Sequence, residues 1–177
     1  MSDLKLARDI FLAAHLEGEF LLRSGKISDT YFDKYRFEGN PALLQRVAKA
    51  MLKLLPPDTQ VLAGLELGGV PIATATSLES GLPAVFVRKE AKTYGTCLAV
   101  EGGDVRNKRV VLIEDVVTTG GAVCDAANLV NAAGAKILAV VCAIWRGEGH
   151  PSINCAPEIT IKPALSMNDL LRSAKPI

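Results

Sequence analysis

Four apolar residues, Val110-Val111-Leu112-Ile113, run straight into two acids, Glu114-Asp115, and then through Val116-Val117 to Thr118-Thr119-Gly120-Gly121-Ala122. The apolar run is too uniform for a strand with one wet face and predicts a strand covered on both sides. The turn that follows predicts a helix over 119–133, stopped by Gly134. A buried strand feeding a helix through a Gly-rich turn is the repeating unit of a parallel α/β sheet. Ligands of such sheets sit at the carboxyl ends of the strands. Acids placed beside a buried run are costly unless they bind something, so this one stretch constrains both the fold class and the position of a site.

The rest of the chain keeps the same rhythm. Strands are expected at 60–65, 84–88, 109–113 and 136–145, with helices at 41–54 and 70–80 between them. An N-terminal helix is expected over 3–17, capped by Ser2 or Asp3. Phe20-Leu21-Leu22-Arg23 and Tyr31-Phe32 read as strands around a turn at Ser24–Asp29. The tail shows a weak strand near Ile159-Thr160-Ile161 and a last helix, Met167 to Ser173, capped by Ser166. Residues 89–108 break the pattern, being polar and too long for an ordinary connection, which marks a functional loop. With 177 residues and no linker or repeat, the chain reads as one α/β domain with a central parallel sheet flanked by helices.

Composition narrows the function classes. Hydrophobic residues make up 49% and charged residues 22%, and 20 basic against 19 acidic residues give a formal net charge of +1. That balance argues against a general nucleic-acid or membrane-surface binder. No run approaches the ~20 apolar residues of a membrane helix. Cys97, Cys124, Cys142 and Cys155 form no C-x-x-C pair, and His15 and His150 lie far apart, so zinc-site spacing is absent. Four reduced, mostly buried thiols in a soluble, cytoplasmic protein are expected.

The Thr-Thr-Gly-Gly turn offers backbone N–H groups, the positive end of a helix and two hydroxyls, which together suit a phosphate. The neighbouring carboxylates suit the hydroxyls of a sugar, since an ionised carboxylate only accepts hydrogen bonds. Neither G-x-x-x-x-G-K-[ST] nor G-x-G-x-x-G after a strand is present. In isolation the same residues could be a plain βα turn with acids capping the next helix.

The stretch Val110–Ala122 resembles the phosphoribosyl-diphosphate motif of type I phosphoribosyltransferases. Four further segments resemble orotate phosphoribosyltransferases in particular. They are Leu22-Arg23-Ser24-Gly25 with Ser28 and Tyr31-Phe32-Asp33; Gly64 to Pro71; Val87 to Gly95; and Trp145-Arg146. The resemblance implies the type I fold with a small N-terminal hood at about 18–38 plus the C-terminal tail, and a flexible catalytic loop at about 89–108. It implies transfer of phosphoribosyl from 5-phospho-α-D-ribose 1-diphosphate to orotate, as in pyrimidine biosynthesis, with Mg²⁺ carried by the substrate and no direct protein ligand to the metal.

The same resemblance assigns residues. Val116, Val117, Thr118, Thr119, Gly120, Gly121 and Ala122 hold the donor, its 5′-phosphate falling to Thr118–Ala122, while Glu114 and Asp115 face its ribose. Arg88, Lys89 and Lys92 neutralise the departing pyrophosphate, and Arg23, with Lys26 near it, contacts the donor from the hood. Lys92, Arg88, Glu114 and Asp115 are the expected catalytic set. Tyr31, Phe32, Thr118 and Arg146 are the expected orotate contacts. The resemblance further implies a homodimer in which the loop closes over the neighbouring subunit's site. Two other readings stay open at this point: a phosphoribosyltransferase for a purine or uracil, and a non-catalytic regulator that senses the donor.

Overall fold

The computed structural model describes residues 3–22, 24–90, 98–153 and 158–174. Strand β3 (Val61–Leu65) leads through Glu66–Gly68 into helix α4 (Gly69–Ser80) and back to β4 (Ala84–Val87). Strand β6 (Arg109–Val117) leads likewise into α5 (Gly121–Ala132) and β7 (Lys136–Trp145). With β5 (Val100–Glu101) and β8 (Ile161–Ser166) these strands form one sheet in the order β5-β4-β3-β6-β7-β8. All neighbours are parallel except the edge pair β4–β5.

Period-two alternation divides the central strands between two cores. Val110 and Leu112 of β6 pack with Val123, Ala127 and Val130 of α5 on one face. Val111 and Ile113 pack on the other with Ile72 and Ala73 of α4, Val47 and Met51 of α3 (Pro41–Leu52), and Leu6 and Ile10 of α1 (Leu4–Ala14). Neither face is wet, which explains the uninterrupted apolar run. Capping follows the sequence signals: Asp3 accepts from Leu6 N–H at 2.9 Å, and Asn40 accepts from Ala42 and Leu43 ahead of Pro41. Ser166 and Asp169 exchange hydrogen bonds in a capping box that starts α6 (Met167–Ala174).

Several expectations need correction. Helix α1 ends at Ala14, and β1 (His15–Leu21) pairs antiparallel with β2 (Ile27–Phe32), so residues the helical pattern had claimed are drawn into a hairpin. Strand β6 runs on to Val117 because β7 pairs with it as far as Trp145, so the acidic pair lies within the strand rather than after it. Residues 89–108 are not one free loop. Val100 and Val105 are buried, and Gly102 turns with φ +103° against the backbone of β4. The cysteines are not all thiols either. Cys124, in the first turn of α5, is disulfide-bonded, whereas Cys142 is free and buried.

Candidate active site

The carboxyl ends of β3, β4 and β6 open on a cavity of about 810 Å³. Its walls include Glu66 and Leu67, Arg88 to Glu90, the whole run Glu114 to Val123, and Lys34 and Tyr35 at the mouth. Of the residues expected at the donor, Arg88, Lys89, Glu114, Asp115 and Val116 through Ala122 all line this one space. Arg23 and Lys92 lie outside the described residues.

The floor is a close fit of backbone on backbone. A Cβ on Gly69 would meet the Ile113 carbonyl oxygen at 2.2 Å, and one on Gly68 would overlap the Asp115 carboxylate at 1.6 Å. Glycine at both positions lets the start of α4 lie directly on the end of β6. Gly120 has φ +80° and caps α5, with Ile153 packed where its Cβ would be. Helix α5 therefore begins at Gly121 rather than 119, leaving exposed Thr118 and Thr119 in the turn and the first N–H groups of the helix facing the cavity side.

The acids are deeply set: Asp115 is 0% and Glu114 8% exposed. Asp115 Oδ2 takes Lys34 Nζ at 2.6 Å, and Oδ1 accepts from the N–H of Val116. Glu114 Oε1 accepts from the N–H of Asp115 at 3.0 Å. Burial, then hydrogen bonding and charge from Asp115, push Glu114 well above the ordinary carboxylate range. Burial alone would raise Asp115 too, but hydrogen bonds from Glu114 and Lys34 hold it below its usual value. The two neighbouring carboxyls are thus pushed in opposite directions, Glu114 toward its protonated form and Asp115 toward its ionised form. An ionised carboxylate only accepts hydrogen bonds, while its protonated form can also donate one.

The opposite wall is basic. Arg88 anchors its backbone N–H on Ala99 O at 2.9 Å, while its Nε is sealed from solvent without a hydrogen-bond partner. The N–H of Lys89 donates to Glu66 Oε2 at 3.2 Å, tying the strand end to the turn before α4.

The residues expected at the acceptor are not gathered in the same way. Tyr31 is 45% exposed and stacks on Phe20 at 5.4 Å between ring centroids, while Phe32 packs against the core. Arg146 is exposed, but its N–H donates to Val117 O at 2.8 Å, which seats it beside Thr118 at the rim. Gly147 closes that corner, since a Cβ there would strike Trp145 and the Thr118 carbonyl. None of Lys26, Tyr31, Phe32 or Arg146 lines the cavity.

Sequence reasoning missed Lys34, Glu38 and Glu66. Lys34 and Glu38 belong to α2 (Tyr35–Glu38) and its N-cap, a segment too short to give a periodic signal. Glu66 lies within the resembling Gly64–Pro71 segment, though nothing in its spacing marks it.

Known proteins share this fold. The phosphoribosyl transferase domain family matches residues 36–160. A protein named orotate phosphoribosyltransferase from Nocardioides sp. is 53% identical over 170 residues, covering 95% of this chain and 94% of its own. Orotate phosphoribosyltransferase of Mycobacterium tuberculosis H37Rv in complex with Fe(III) dicitrate superposes with a TM-score of 0.82 at 28% identity, over 94% of this chain and 97% of that one. Its structure with 5-phospho-alpha-D-ribosyl 1-diphosphate gives 0.77 at 25% identity, over 94% and 97%. With its acid pair, Gly-rich turn and basic strand end held in one cavity, the chain belongs to the phosphoribosyl transferase family, among its orotate phosphoribosyltransferases.

Proposed function

We propose that the cavity takes 5-phospho-α-D-ribose 1-diphosphate and orotate and yields orotidine 5′-monophosphate and pyrophosphate, a step of pyrimidine biosynthesis. The observation that carries this is one space walled by a phosphate-sized turn, a buried acid pair and a basic strand end. The M. tuberculosis relative solved with the same donor supports it.

In this reading Thr118 to Ala122 hold the 5′-phosphate through N–H groups, hydroxyls and the helix dipole. Asp115 and Glu114 meet the ribose hydroxyls, and the fixed negative charge of Asp115 favours the cationic character that develops at the anomeric carbon. Arg88 and Lys89, with Lys92, draw off the pyrophosphate. Orotate is already acidic at the attacking nitrogen, so positioning outweighs general-base help. Arg146 beside Thr118 reads the acceptor's polar edge, with Tyr31 and Phe32 near its ring. Arg23 in the hood touches the donor.

Among the described residues no three His, Cys, Asp or Glu side chains converge on a point that could hold a metal ion. In this reading Mg²⁺ arrives on the donor, where it would neutralise the diphosphate as a leaving group. We place the hairpin β1–β2 in the hood and the whole chain in one phosphoribosyltransferase domain. The remaining parts of the reading are a cytoplasmic location and a homodimer whose loop around Lys92 closes over the neighbouring site. No described helix is long and apolar enough to cross a membrane.

The test mixes protein, orotate, donor and Mg²⁺ and follows orotate's near-ultraviolet absorbance. The expected change requires all three additions and falls by about 10²-fold or more in Lys92→Ala, the scale of a lost transition-state contact. Turnover of a purine or uracil instead of orotate would overturn the acceptor, and donor binding without any turnover would point to a sensor.

A further inference from the structure

Glu38 has no task in the mechanism above, yet it neighbours Asp115, which lines the cavity. It is 5% exposed, and neither Oε1 nor Oε2 has a hydrogen-bond donor. A buried carboxylate left that way is costly. Its polar neighbour is Asp115, another acceptor, and two carboxylates can be joined only by a proton between them. Lys34 meets the same Asp115 from Nζ at 2.6 Å. Lys34 and Glu38 are four residues apart, at the N-cap and last residue of α2, and positions so spaced share one helical face.

We propose that Lys34 and Glu38 are positioning residues: one helical turn grips Asp115 with a cation on one side and a shared proton on the other, fixing the carboxylate for the donor's ribose. The proposal rests on the reading of the cavity as the donor site. A free Asp115 side chain would swing about its χ angles, and small misplacement of a charge beside the anomeric carbon is expensive in rate. The grip also accounts for Gly68, whose missing Cβ leaves room for the carboxylate in that orientation.

Charge reinforces the geometry. Burial, then hydrogen bonding and charge from Asp115, push Glu38 up to about 9, with Lys34 opposing and Asp33 adding. Burial and Asp115 push Glu114 upward as well. Burial would lower Lys34, but its bond to Asp115 keeps it above 10.5. Glu38 therefore stays protonated at neutral pH and lets go as the pH passes about 9, before Lys34 titrates. In the unfolded chain Glu38 titrates near 4.5, so native stability falls as pH climbs from 4.5 to about 9 and levels beyond.

The experiment compares the full chain with Glu38→Gln, Glu38→Ala and Lys34→Met, recording Tm, and kcat/KM for the donor from pH 6 to 10. Glu38→Ala and Lys34→Met are expected to lose about tenfold or more, the scale of a hydrogen bond to a charged group. Glu38→Gln, an amide that keeps a donor without the titration, recovers most of that loss and removes the alkaline fall near pH 9. Glu38→Gln as poor as Glu38→Ala at wild-type Tm, with the fall retained, would overturn the proposal. Calorimetry with the donor alone separates the two levels of failure. No binding by the wild type overturns the reading of the cavity; binding that both Glu38 variants leave unchanged, with wild-type kcat and pH profile, overturns only the role of Glu38.

Discussion

The two ends of the site are built differently. At the donor end, eleven expected residues (Arg88, Lys89 and Glu114 through Ala122) line one cavity, and backbone fits backbone beneath them at Gly68, Gly69 and Gly120. At the acceptor end Tyr31 lies on an exposed hairpin, Phe32 turns to the core and Arg146 stands at the rim. The donor end is part of the frame of the sheet, so it is formed before any ligand arrives. The residues expected at the acceptor are separate pieces, and none of them lines the cavity except Thr118, which the two ends share. Such a division fits a reaction in which the charged donor needs a preorganised electrostatic site and the flat acceptor needs mainly orientation.

Substitutions can break this contrast. The largest effect is expected for Asp115→Asn, which removes the anion and leaves Lys34 unpaired: kcat should fall about 10²–10³-fold, as read from initial rates at saturating orotate and donor. If that rate survives, the donor end is not where the chemistry is driven. Gly69→Ala should come next. Its Cβ meets a backbone carbonyl that cannot step aside, so a loss of about 1–3 kcal/mol by denaturant unfolding is expected, with weaker donor binding in the same variant. Stability lost without donor affinity would separate frame from site. The mildest is Arg146→Ala, whose orotate KM should rise about tenfold while calorimetric affinity for the donor stays as it was. A parallel loss of donor affinity would show the two ends to be one unit.

The strand-turn-helix at 110–133 was legible because its signals are local. An apolar run, two acids and a Gly-rich turn lie within a few residues of each other, and the covered strand follows from hydrophobicity alone. Its exact extent was not legible: β6 reaches Val117 only because β7 lies alongside to pair with it. The hairpin that cuts short the first helix, and the short strand β5 inside a polar stretch, likewise depend on partners distant in sequence. The disulfide at Cys124 gave no spacing signal, since its formation depends on which cysteine the fold carries to the start of α5.

The site divides along the same line. By itself the sequence determined the fold class, the Gly-rich turn and the identity of the acid pair, because each is set by short-range pattern. Only the tertiary structure decided how that pair is charged. Burial and the Asp115 carboxylate push Glu114 upward, while hydrogen bonds from Glu114, Lys34 and Glu38 hold Asp115 below its usual value against its own burial. A residue's type gives its chemistry, but its protonation depends on what stands within a few ångströms of it, and folding determines those neighbours.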